Sequence, residues 1–261
     1  LGQEEFGESV NTSIDSAVEF LWTLQNDDGS WKTFGGHGGH EDEGLGSTSL
    51  VAYALMEAGI SPQDERMLLA FEYLESKDAT HTYSAGLRTV AFQVANEQTN
   101  NKYVSVVRGD MGDIMTAQSG GGYGYTVPRA EGATDNSNSQ YAVLAAWYAG
   151  MNDRIDIPAQ YWLDLQGYWR TCQKEDGSWS YRVSGQNQYY DGLPQPTMTV
   201  GGLASLYICE DNVPLSRRAD RSAIERCEGV VMDPAIAAAL AWMDRNYTAD
   251  PTQTGAWMGI G

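Results

Sequence analysis

The chain has 261 residues, of which 42% are hydrophobic and 11% aromatic, enough to bury a sizeable core and to exclude a disordered chain. Its formal net charge of −19 argues against nucleic acid and anionic membrane surfaces as partners, and reads as a solubilising acidic surface. No run approaches the length of a membrane span, so no transmembrane segment is expected.

Residues 1–13, "LGQEEFGESVNTS", read as a flexible leader to one domain over 14–261. Ile14, Ala17, Val18, Leu21 and Leu24 then mark one apolar helical face, opposite Asp15, Ser16, Glu19 and Thr23. This helix runs into "FLWTLQNDDGSW" (20–31), which is echoed by "YWRTCQKEDGSW" (168–179). Between these copies lies the weaker "IMTAQSGGGYGY" (114–125), where Tyr123 and Tyr125 stand where Trp is expected. "AFEYLESKDATHTY" (70–83) is a degenerate register, and "ALAWMDRNYTADPTQTGAW" (239–257) has an expanded turn. Repeats at the size of a helical hairpin predict a stack of such hairpins.

The half-polar helices that precede each turn belong outside. The helices after the turns are apolar nearly all round and belong inside: 47–59, 83–95, 139–150 and 196–208. Small residues such as Ala52, Ala85, Ala142, Gly201 and Gly202 let inner helices approach closely. Ser, Thr or Asn near the start of the first, third and fourth inner helices predicts N-caps. Three cysteines, Cys172, Cys209 and Cys227, form no CxxC pair and allow at most one disulfide.

The two strong turns, Gln25 with Asp28, Gly29 and Trp31, and Gln173 with Asp176, Gly177 and Trp179, resemble the QW motifs of the squalene-cyclase and protein-prenyltransferase superfamily. The resemblance covers roughly residues 14 to 257, and within the superfamily it points to the uncharacterised bacterial members. It implies an all-α fold, an α/α toroid of concentric helical hairpins around a central cavity. It also implies that Gln25, Trp31, Gln173 and Trp179 are structural staples. A complete toroid of this class has six hairpins. About five outer and four inner helices fit here, so the expectation is an incomplete barrel, truncated at the C-terminus, with a further domain in a longer chain. Bacterial cytoplasm and periplasm both remain open.

Cyclases of this class carry a DxDD motif at the start of an inner helix, and its middle Asp protonates an alkene. The aligned stretch here is Asp135, Asn136, Ser137, Asn138. A serine hydroxyl in the donor's place is not acidic enough for that step. Asp135 is the one carboxylate left as a catalytic candidate, yet a helix N-terminus favours its anion. Asn136, Ser137, Asn138, Glu43, Tyr123, Tyr125 and Asp191 are expected at the cavity rim.

Zinc-dependent prenyl transfer lacks its ligands: no D-x-C is followed by a suitably placed His. "GGHGGHEDEG" (35–44) offers His37, His40 and Glu41 as the nearest approach to a metal set, but no metal or other cofactor is expected. A carbohydrate-active toroid could use Glu41, Asp42, Glu43, Asp135 and Asp191 beside Tyr181, Tyr189 and Tyr190. The leading expectation is a cyclase-like toroid without the usual proton donor, binding an isoprenoid, another small molecule or a partner in its cavity. The alternatives are a divergent squalene-type cyclase and a carbohydrate-active enzyme with an acidic rim.

Overall fold

The computed structural model describes residues 3–31, 42, 44–129, 133–181, 193–213 and 232–247. Among them the fold is all-helical, and the only β pairing is in the isolated bridges His81–Thr126 and Ser119–Gly122. The described helices are α1 (Gln3–Thr23), α2 (Leu45–Glu57), α3 (Glu65–Glu75), α4 (Thr82–Gln98), α5 (Val104–Ala117), α6 (Asn136–Gly150), α7 (Ala159–Cys172), α8 (Pro196–Asn212) and α9 (Pro234–Asn246).

The even-numbered helices pack in succession, α2 on α4, α4 on α6 and α6 on α8. The odd-numbered ones flank this row: α3 on α2, α5 on α4 and α6, α7 and α9 on α8. Burial follows the sequence pattern. In α4 every residue from Ser84 to Asn96 is buried. In α3 only Met67, Ala70, Phe71 and Leu74 are, one stripe at helical spacing. Glycines set the closest approaches within and onto the inner row. A Cβ on Gly86 of α4 would sit 3.0 Å from the Tyr141 carbonyl of α6, and one on Gly202 of α8 would sit 2.6 Å from the Trp179 ring. A buried ion pair joins the two rows. Arg88 of α4 binds Asp110 of α5 (Nε–Oδ2 2.9 Å) and donates to the Leu74 carbonyl at the end of α3 (3.1 Å). Burial raises the Asp110 pKa, and the guanidinium opposes that rise.

The repeat turns couple each hairpin to the next. Gln25 donates to its own turn at the Gly29 carbonyl (3.1 Å) and to Arg66 O of α3 (2.9 Å). Gln173 does the same to Gly177 O (3.0 Å) and Ala235 O of α9 (2.8 Å). The indoles point back: Trp31 Nε1 donates to Leu21 O and Trp179 Nε1 to Trp169 O, at 2.8 and 2.9 Å. Gly29 and Gly177 have φ of +83° and +93°, and a Cβ on either would lie 2.4 or 2.3 Å from a carbonyl oxygen of the next outer helix. The turn needs glycine for both reasons.

Residues 3–13, expected to form a leader, are helical as the first turns of α1. Its hydroxyls fold back on the helix, Thr12 to Glu8 O and Ser13 to Ser9 O, while α1 packs on the core through Val18, Leu21 and Trp22. The start of the inner helices also works differently. Only α6 among them has a side-chain cap, from Asp135; the N-cap residues of α2 and α8 are Gly44 and Gln195. Thr48 and Thr199 instead accept the main-chain N–H of Trp31 (2.9 Å) and Trp179 (3.2 Å). Both hydroxyls hold the repeat turn, and that of Thr199 also donates to Gln195 O at the start of its own helix (2.9 Å).

Candidate functional site

Asp135 is buried at the N-cap of α6. Its Oδ1 accepts from Ser137 N (2.8 Å), Asn138 N (3.2 Å) and the Ser137 hydroxyl. These three donors converge on one acceptor oxygen and cap the helix. The Ser137 hydroxyl donates its proton to Asp135. Tyr83, at the start of α4, lies near enough to this pair for the Ser137 side chain and the Asp135 charge to bear on its phenol. Its ring lies 4.4 Å from that of Tyr141. Burial pushes the Tyr83 phenol well above its ordinary pKa; the nearby Ser137 side chain works against this and the Asp135 charge adds to it. Tyr125, 44% exposed, completes the cluster and hands its carbonyl to Thr82 N (2.9 Å). The cluster can accept hydrogen bonds and present aromatic faces.

The other expected rim residues separate. Asn136 is a latch: its Nδ2 donates to Ser180 O (2.7 Å) and its Oδ1 accepts from Tyr168 of α7 (2.8 Å). Tyr123 is wholly buried rather than at a rim, and its hydroxyl bonds that of Tyr161 (2.9 Å). It occupies the slot that Trp31 and Trp179 fill in their copies. Asn138 is also fully buried, with Nδ2 3.4 Å from Asp135. Asp42 is committed to the entry of α4, accepting from Thr80 N (3.0 Å), His81 N (2.9 Å) and the Thr80 hydroxyl (2.8 Å). Glu41, Glu43, His37, His40, Tyr189, Tyr190 and Asp191 lie outside the described residues. Among the described residues no group of three or more His, Cys, Asp or Glu is placed to hold a metal ion. Burial pushes the Cys172 thiol up to about 11 and Cys209 up to about 12, so neither is a reactive thiolate at neutral pH.

The inner helices carry exposed apolar side chains: Leu50 of α2, Trp147 of α6 with Met151 at its C-cap, and Val200 and Tyr207 of α8. Trp147 and Met151 are one turn apart and Val200 and Tyr207 two, so each pair shares one side of its helix. Sequence reasoning missed Tyr83 and Tyr141. Each follows the polar start of an inner helix, but their meeting depends on how α4 and α6 are aligned. Compared with known proteins, the chain matches no family model, no curated protein and no solved structure.

Proposed function

We propose that this chain is an α/α toroid of the squalene-cyclase and prenyltransferase class that binds an apolar, isoprenoid-like ligand against its inner helices and does not cyclise it. The observation that carries the reading is the state of Asp135. Its acceptor oxygen is filled by two main-chain N–H groups and Ser137, so the address of the catalytic acid is occupied by a helix cap. The toroid reading is supported by the hydrogen bond between Tyr53 of α2 and Tyr148 of α6 (2.8 Å), which links two helices that both pack on α4. The exposed apolar side chains of α6 and α8 supply a surface for a hydrocarbon.

The test presents squalene in detergent micelles to the full chain, followed by gel filtration and mass spectrometry. Saturable uptake of unchanged squalene is expected, lost in the double variant Trp147→Gln, Tyr207→Gln. Any cyclised product would overturn the non-catalytic reading, and uptake unaffected by the double variant would remove the inner helices as the site.

A further inference from the structure

We propose that the open groove between the third repeat turn and α7 binds an extended peptide, with Gln118 reading one of its main-chain carbonyls. This site is separate from the inner helices and does not rest on the toroid reading. The groove encloses about 850 Å³. Gln118, Ser119 and Thr134 form one side, and Asp164, Gly167 and Tyr168 the other. Gly167 keeps it open, since nothing lies within 4 Å of the position its Cβ would take.

The chemistry of the ligand follows from the other repeats. Gln25 and Gln173 each give their side-chain amide to two main-chain carbonyls, one in the turn and one on the next outer helix. Gln118 holds the same place in the third copy, but its buried Nε2 has no hydrogen-bond partner. The cause is local. Gln118 is followed by Tyr123, whereas Gln25 is followed by Trp31 and Gln173 by Trp179, so the third turn is one residue shorter. Gly121 still seats on α7, where a Cβ would meet Asp164 O at 2.2 Å, but the shortened turn no longer brings a carbonyl to the amide. A position that twice selects peptide carbonyls is here left without one. Gln118 lines the groove, and binding would turn its amide, whose Nε2 is now buried, toward the ligand.

The remaining groups fit a peptide better than other ligands. Ser119 and Thr134 bring hydroxyls and Asp164 a carboxylate, suited to peptide N–H groups or a basic side chain. No basic residue lines the groove, and a chain of net charge −19 disfavours phosphates and other anions. Leu163 and the Tyr168 ring offer a place for an apolar side chain.

The experiment titrates the ¹⁵N-labelled full chain with the blocked dipeptide N-acetyl-alanyl-alanine methylamide, with glucose as the comparison probe. Expected are saturable shifts of the Gln118 side-chain amide and of the Gly120 and Gly121 N–H signals. Gln118→Leu should weaken binding about tenfold, the loss of one hydrogen bond to a ligand carbonyl. Gly167→Trp, on an exposed helix face, should abolish it at unchanged Tm; if that variant lowers Tm, Thr171→Trp on the same wall serves instead. The proposal is overturned if no saturable shift appears below about 10 mM peptide. It is equally overturned if the blocking variant or Gln118→Leu binds like the parent chain, or if glucose moves these signals and the peptide does not.

Discussion

The first and fourth repeat turns differ from the third by one residue, and that residue separates what a repeat needs from what it can lose. All three seat a positive-φ glycine on the next outer helix: Gly29 on Leu69, Gly121 on Asp164 and Gly177 on Ala238. All three place an aromatic ring under the turn, Trp31, Tyr123 or Trp179. Only the first and fourth satisfy the glutamine amide. Seating and ring are therefore the constant parts of the joint, while the amide clasp is optional. Where the clasp is lost, a groove opens beside it.

The largest effect tests the constant part. Gly121→Ala and Gly177→Ala should each cost about 3 kcal/mol or more in urea unfolding, because the new Cβ meets backbone rather than a side chain that can yield. Equal losses at both positions would show that the third turn is seated like the fourth. A near-neutral Gly121→Ala would break the comparison, because the third turn would then rest elsewhere.

The glutamines should divide more sharply. Gln173→Leu removes two hydrogen bonds from a part-buried joint and should cost about 1–3 kcal/mol. Gln118→Leu removes a buried donor that has no acceptor, so its stability should stay within about 0.5 kcal/mol of the parent or rise. Matched denaturant titrations of the two variants decide this. Equal losses would mean that Gln118 is clasped like its counterparts.

The two turns also show what could be read from sequence. Helix positions and the inner and outer rows follow from apolar periodicity alone, because burial all round or on one stripe is a local property of each segment. α4 and α3 show the two cases. The one-residue deletion at Gln118 is visible in the alignment of the repeats, but its consequence is not, since it depends on Gly121 keeping its seat on α7. Tyr123 illustrates the same limit. Its place in the repeat marks it as the equivalent of Trp31, and that place decides its burial. Its proximity to the Asp135 stretch in the chain suggested a rim. The sequence places Asn136 at a cavity rim and makes Asp42 a candidate carboxylate of a carbohydrate site. Their hydrogen-bond partners, Ser180, Tyr168, Thr80 and His81, lie more than thirty residues away in sequence.

The smallest effect concerns acid. Burial tends to raise the Asp176 pKa, but the hydrogen bonds from Ser178 outweigh it and hold the carboxyl below its ordinary value of 3.8. A depressed folded-state pKa means that the anion's contribution is fully present above that ordinary value and is lost as pH falls through the lower, folded one. The third turn, Ser119 to Gly122, carries no carboxylate. In an NMR pH titration the Ser178 amide, which donates to Asp176 at 3.0 Å, should therefore shift with a midpoint below 3.8. The Ser119 amide, bonded only to the Gly122 carbonyl, should stay level through the same window. Asp176→Asn should flatten the Ser178 curve while leaving the fold intact, since Asp176 is exposed. A Ser178 midpoint above 3.8 would reverse the balance between burial and hydrogen bonding assigned to this turn. A titrating Ser119 would mean that a carboxylate from outside the turn reaches it, with Asp164 on the facing wall of the groove the nearest source.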